Sequence, residues 1–145
     1  VKHLSEVGIN VEELPAPALL RLPRIQHLRT DLHASVPSET SIISLVEALH
    51  PTAAVCGEPG TVALDLLNEE ELVGRGWYAG PVGWFDVAGN GEFAPALRSA
   101  VCRGPLLRLF AGSGIVSGSR PLAEWDETRV KFQTMLDALG VARLP

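Results

Sequence analysis

Glu124, Glu127 and Lys131, in the string "EWDETRVK", could do chemistry together. On a helix their spacing sets them within about 60° of one another. Two carboxylates and an ammonium then share one narrow stripe. Upstream stands "FAGSGIVSG", with glycines at 112, 114 and 118. Glycine amides let an anion approach closely, because no side chain intervenes. A lysine adds a point charge. Two oxygen-donor carboxylates suit Mg²⁺, which a bound anion can help to coordinate. Such a cation would explain why glutamates follow an anion-binding loop, since it bridges two negative parties and acts as a Lewis acid.

On these residues alone, two other readings stay open. One is a glycine turn before a solvated helix, supported by the i,i+4 pair Glu127–Lys131. The other is a dinucleotide loop, but the spacing is G-x-G-x-x-x-G and the strand context is wrong for it.

The elements that must carry these residues follow from periodicity. Residues 1–14 read as helical until Pro15 and Pro17 break the pattern. "LLRLPRIQHLRTDLHASV" reads as a strand or strand pair. A helix is expected from about Ser41 to Pro51, and a second over "EPGTVALDLLNEE" with Gly60 and Thr61 at its start. "WYAGPVGWFDV", "EFAPALRSAVC" and "LLRLFAG" read as three strands joined by short turns, which predicts an antiparallel meander. The last helix is expected over about Pro121 to Leu139, with Ser119 as N-cap and Gly140 as C-cap. Trp125, Phe132, Met135, Leu136 and Leu139 fall on its apolar stripe, and the Glu124–Glu127–Lys131 stripe lies at that border. There a helix can anchor itself and still face a cleft.

Composition narrows the classes of function. With 145 residues, 46% of them hydrophobic, the chain can form one cored domain. A net charge of −5 without charge blocks argues against nucleic-acid and anionic-membrane partners. No apolar run approaches the roughly 20 residues of a membrane span, and no signal-peptide pattern opens the chain. Cys56 and Cys102, far apart, read as reduced thiols, so the expected compartment is the cytoplasm. The first residue is Val1, in what reads as a helix already under way, so a longer parent chain is expected.

Five motifs occur in order: "LHPTAAVCG" (49–57), "GWYAGPVGW" (76–84), "EFAPALRSA" (92–100), "LFAGSGIV" (109–116) and "EWDETRVK" (124–131). Together they resemble the carboxy-terminal part of the chorismate-utilising enzymes. That family holds isochorismate synthases, salicylate synthases and the large components of anthranilate and aminodeoxychorismate synthases. The resemblance runs from about Leu20 to Leu139. It implies an α+β fold, an antiparallel sheet backed by helices, forming the carboxy-terminal half of a layered sandwich. Residues 1–145 would then be the carboxy-terminal part of a single chorismate-binding domain, with an apolar face exposed.

The resemblance also implies roles. Glu127 and Glu124 would hold Mg²⁺. Lys131, Arg98 and the amides of Gly112, Ser113 and Gly114 would bind the carboxylates of chorismate. Tyr78 would hydrogen-bond the same region, and His27 would face the substrate ring as an assisting group. His50 would be structural, shaping the loop before Gly57. Ser113 departs mildly from the family's usual alanine. Ala54 stands where lyase-type and aminating relatives usually carry threonine, which points to the isochorismate synthase branch, with a salicylate synthase or an aminating relative as runner-up. The general acid and base would be a glutamate and a lysine upstream or on a companion chain. This segment is therefore expected to bind carboxylates and metal without catalysing, with a non-catalytic binding module or fragment that keeps the fold as the rival reading.

Overall fold

Helix α1 (Lys2–Glu6) ends where Gly8 takes a φ of 79°. Gly8 N–H donates to the Ser5 carbonyl and Ile9 N–H to the Leu4 carbonyl, the paired bonds of a Schellman stop. Val11–Glu13 then extends as β1, so the helical reading of residues 1–14 holds only for its first part. A glycine in the left-handed region overrode a composition that reads as helical. The computed structural model describes residues 2–6, 8–13, 15–21 and 26–141. The parts of the expected first helix at Val1, Val7 and Leu14, and of the expected strand pair at Leu22, Pro23, Arg24 and Ile25, lie outside the described residues.

Two compact units divide the chain: residues 1–50 with 84–92, and residues 51–83 with 93–145. In the first, β1 pairs antiparallel with β4 (His33–Ala34), and β2 (Ala18–Arg21) with β3 (Gln26–Arg29), Leu20 opposite His27. Helix α2 (Ile42–Leu49) starts at Ser41, whose hydroxyl accepts from the Ser44 N–H at 3.1 Å, and ends at His50. Ile9 is buried here, at 2% exposure.

The second unit carries α3 (Gly60–Glu70), β7 (Ser99–Arg103), β8 (Leu106–Phe110) and α4 (Pro121–Ala138). β7 and β8 pair antiparallel from Ser99–Phe110 to Arg103–Leu106, across a two-residue turn opened by Gly104 at φ 57°. Hairpin β5 (Pro81–Phe85) and β6 (Gly91–Pro95) runs through both units. Its turn is built on Asp86, which accepts 2.9 Å bonds from the N–H groups of Ala88 and Asn90. Those bonds, with one from the Asn90 side chain as the largest cause, hold the Asp86 carboxyl below its ordinary value.

The architecture is α+β, but the expected meander is cut. Among the described residues the strands form four separate pairs. "EFAPALRSAVC" is not one strand, because β6 stops at Pro95 and β7 begins at Ser99. Between them Arg98 takes a φ of 48° and the Leu97 N–H turns back onto the Pro95 carbonyl. "WYAG" is likewise a turn before β5 and not strand. Proline at 95 cannot donate to a ladder, so β6 ends on a residue without an N–H.

Helix α4 has Pro121 in its first turn and Arg120 as N-cap. Ser119 is not the cap; its hydroxyl accepts from the Val116 N–H at 3.1 Å. Gly140, at φ 69°, closes the other end, with Gly140 N–H to Asp137 and Val141 N–H to Leu136. Of the expected apolar stripe, Leu136 is buried at 4% exposure and Phe132 and Met135 are half-buried, while Trp125 stays 63% exposed. Trp77, Trp84 and Phe85 are also exposed among the described residues. No helix among them is long and apolar enough to cross a membrane.

Candidate functional site

The second unit brings the glycine loop against α4. Lys131 Nζ donates to the Gly112 carbonyl at 2.9 Å and lies 2.7 Å from Glu127 Oε1. Its side chain is only 18% exposed, against 53% for Glu127, so the lysine reaches inward and the glutamate stands at the rim. The Ser113 hydroxyl donates to Glu124 Oε2. That bond, then one from Ser119 and the charge of Lys131, hold the Glu124 carboxyl below the ordinary glutamate value. One helical face thus meets the loop at both ends: Glu124 through Ser113, Lys131 through Gly112. The solvated-helix reading does not account for these two contacts.

Tyr78 supplies the neighbouring wall. Its ring stacks on Phe110 with centroids 5.4 Å apart and planes 11° apart. A Cβ added to Gly112 would stand 2.7 Å from the Tyr78 hydroxyl oxygen, so this glycine is required by close approach. At Gly114 a Cβ would meet nothing within 4 Å, which leaves open space at the loop's other glycine. Burial, the largest cause, raises the Tyr78 phenol above its usual value, so it stays protonated and able to donate near neutral pH.

Arg98 is not on a strand beside Tyr78. Both sit on turns, and the turns are joined by Ala79 N–H to the Ala96 carbonyl at 3.0 Å and Ala96 N–H to the Gly80 carbonyl at 2.8 Å. Arg98 is half-buried. Ala79, buried at 4% exposure, takes a φ of 66°, and Arg98 a φ of 48°. Two non-glycine residues in the left-handed region on adjoining turns mark a backbone held by its surroundings. His27 is exposed on β3 in the first unit.

Two residues here were absent from the sequence reading. Arg75 pairs with Glu71 through Nε, at 2.8 Å to Oε2, and through its second terminal nitrogen, at 2.7 Å to Oε1. Its first terminal nitrogen donates to the Val55 carbonyl at 2.6 Å. The guanidinium lies 5.8 Å from the Tyr78 ring centre. The i,i+4 spacing of Glu71 and Arg75 at a helix end was the available signal. Arg75, Phe110 and Trp77, with Val101, Arg103 and Arg108, help to line a cavity of about 630 Å³ in this unit.

Glu124 and Glu127 are oxygen donors of the kind Mg²⁺ takes, one helical turn apart. Among the described residues no three His, Cys, Asp or Glu side chains gather into a metal cluster. The pair fits the ion in kind and would supply only part of its coordination.

Comparison with known proteins gives a consistent picture. A sequence profile of the family described as chorismate binding enzyme matches residues 1–140. The chain is 45% identical over 133 residues to the isochorismate synthase MenF of Bacillus subtilis, covering 92% of this chain and 28% of that protein. It is 48% identical over 141 residues to a salicylate biosynthesis isochorismate synthase of Pseudomonas aeruginosa, covering 97% of this chain and 30% of that protein. A solved structure from Bacillus anthracis, described as a 2,3-dihydroxybenzoate-specific isochorismate synthase, superposes with a TM-score of 0.89 at 36% identity, covering 97% of this chain and 38% of that one. The chain therefore spans about a third of the length of these relatives.

Proposed function

The chain belongs to the chorismate-binding enzyme family, and on that premise we propose that it is the carboxylate- and metal-binding part of an isochorismate synthase, in a cytoplasmic enzyme whose acid–base pair lies outside these residues. It would form the carboxy-terminal part of a single chorismate-binding domain. One observation carries the reading: Lys131 and Glu124, from one face of α4, both engage the glycine loop 112–114.

The work of these residues is to bind and orient. Lys131 sets a cation at the loop's edge, where a carboxylate of chorismate would replace the Gly112 carbonyl as its partner. Arg98 offers a second, bidentate carboxylate partner. Tyr78, protonated and stacked on Phe110, closes the loop's side and can donate a hydrogen bond. Gly114 leaves room for a ligand to reach backbone amides. Glu124, kept ionised by its serine partners, and Glu127 would hold Mg²⁺. When bound, that ion supplies Lewis-acid stabilisation of negative charge. His27 would assist at the ring. The net reaction adds water at ring carbon 2 and expels the hydroxyl at carbon 4, which calls for the base and acid assigned outside this segment. Ala54, on an exposed turn, favours isomerisation as the outcome.

The test is turnover of chorismate by the full-length enzyme across a Mg²⁺ titration, with the product identified chromatographically. Isochorismate is expected, with activity lost on chelation and none from residues 1–145 alone. Salicylate or an aminated ring as product would sink the assignment to this branch. Robust turnover by the 145 residues would refute the placement of the acid–base pair.

A further inference from the structure

We infer that Arg75, fixed by Glu71, is a positioning residue of the carboxylate site that acts through Tyr78; this rests on the reading of that site just given. Arg75 follows α3 and ties its own segment to the one that carries Val55. Nε donates to both oxygens of Glu71, at 3.1 and 2.8 Å, and a terminal nitrogen adds a bond at 2.7 Å. The other terminal nitrogen binds the Val55 carbonyl at 2.6 Å, beside Ala54. With those donors committed, the plane of the guanidinium cannot turn.

That fixed cation lies against the ring of Tyr78. The same ring stacks on Phe110, and its hydroxyl occupies the space a side chain at 112 would need. Gly112 in turn carries the carbonyl that holds Lys131. The route therefore runs from Glu71 through Arg75 and Tyr78 to the loop and its lysine. An exposed ion pair would contribute little, but the Arg75 side chain is 28% exposed and also bonds to backbone at Val55. Lysine could not replace it, because one ammonium cannot form the fork with Glu71 and reach Val55 together. Arg75 is not proposed to touch the substrate.

The experiment is a double-mutant cycle in the full-length enzyme. Arg75→Met is expected to raise KM for chorismate about tenfold, with kcat changed by less than roughly threefold, because ground-state placement and not the acid–base pair is disturbed. Arg75→Lys should not restore KM. Glu71→Gln, which keeps shape and loses charge, should move KM the same way by a smaller factor. In a Tyr78→Leu background, Arg75→Met should change KM by less than about twofold, because the shared route is already cut. An undiminished effect in that background, or an unchanged KM in Arg75→Met, overturns the inference. A second readout does not depend on turnover. With 3-fluorotyrosine incorporated, the ¹⁹F line of Tyr78 is assigned by its loss in Tyr78→Phe. That line should shift and broaden in Arg75→Met, and an unchanged line overturns the inference whether or not chorismate is consumed. A shifted line in a protein that never turns over chorismate would sink the functional reading and leave the positioning of Tyr78 standing.

Discussion

The ammonium of Lys131 donates to the carbonyl of Gly112 at 2.9 Å, across 19 residues of sequence. A helix and a loop that could have been independent are thereby closed on one another. Glu127, one turn before the lysine, holds the same ammonium from the solvent side. The lysine is therefore oriented by the fold itself, and under the proposed function a carboxylate would need only to displace a neutral carbonyl to gain its charge.

Lys131→Ala in the full-length enzyme should raise KM for chorismate roughly 10- to 100-fold, the scale of losing a hydrogen bond to a charged group, about 1.5–3 kcal/mol. Glu127→Ala should instead remove Mg²⁺-dependent turnover, because a charged oxygen ligand is lost. Steady-state kinetics across a Mg²⁺ titration separate the two. Equal effects of both changes on Mg²⁺ dependence would contradict the division of labour.

Asp86 gives the hairpin turn a pH dependence of known sign. Its folded-state value is depressed by the Asn90 side chain and by backbone N–H groups of the turn. Its contribution to stability is therefore complete above the ordinary carboxylate value and is lost as pH falls through the depressed one. Asp86→Ala should flatten the acid limb of stability against pH and leave the neutral-to-alkaline shape unchanged. Denaturation curves at a series of pH values check this, and an acid limb identical to wild type would contradict it.

The parts of the fold written in local chemistry were readable in the sequence. The helix start at about Ser41, Pro121 in the first turn and Gly140 after the last are set by local chemistry, and each sits as expected at its helix end. The stripe of Glu124, Glu127 and Lys131 was readable for the same reason. Ser119 was misjudged because its hydroxyl found a nearer partner in the Val116 N–H. The break at 96–98 was missed because "EFAPALRSAVC" is an apolar run between turn signals, and the bonds at the break come from Ala79 and Gly80. Trp125 was assigned to the core by periodicity, which cannot tell a face packed within these residues from one left open. Arg75 was passed over because its partners, Val55 and Tyr78, meet only in the fold.

Gly140→Ala should cost about 1 kcal/mol, since an alanine Cβ is strained in the left-handed region that the helix stop requires. No atom lies within 4 Å of the added Cβ, so the penalty is conformational and not a clash. Chemical denaturation measures it. A change near zero would mean the helix end relaxes to another stop.

Gly112→Ala tests the close approach of loop and ring. Its Cβ would fall 2.7 Å from the Tyr78 hydroxyl oxygen, a separation real Cβ atoms essentially never show, while the next ring atom is 3.8 Å away. The ring must move, yet Phe110 and Arg75 hold it, so the loop should yield and carry the Gly112 carbonyl off Lys131. KM for chorismate should rise about tenfold, the effect of roughly 1.4 kcal/mol. Tyr78→Phe removes only the clashing oxygen. The double variant Gly112→Ala with Tyr78→Phe should therefore bind chorismate better than Gly112→Ala alone, although Tyr78→Phe by itself loses a donor and weakens binding. Gly114→Ala is the contrasting case: its Cβ meets nothing and its φ lies outside the left-handed region, so the melting temperature should hold. Its KM should still rise, because the side chain fills the space through which a ligand reaches the amides. Steady-state kinetics with thermal melts on the four variants decide the matter. If Tyr78→Phe fails to relieve Gly112→Ala, the approach of that hydroxyl is not what demands glycine at position 112.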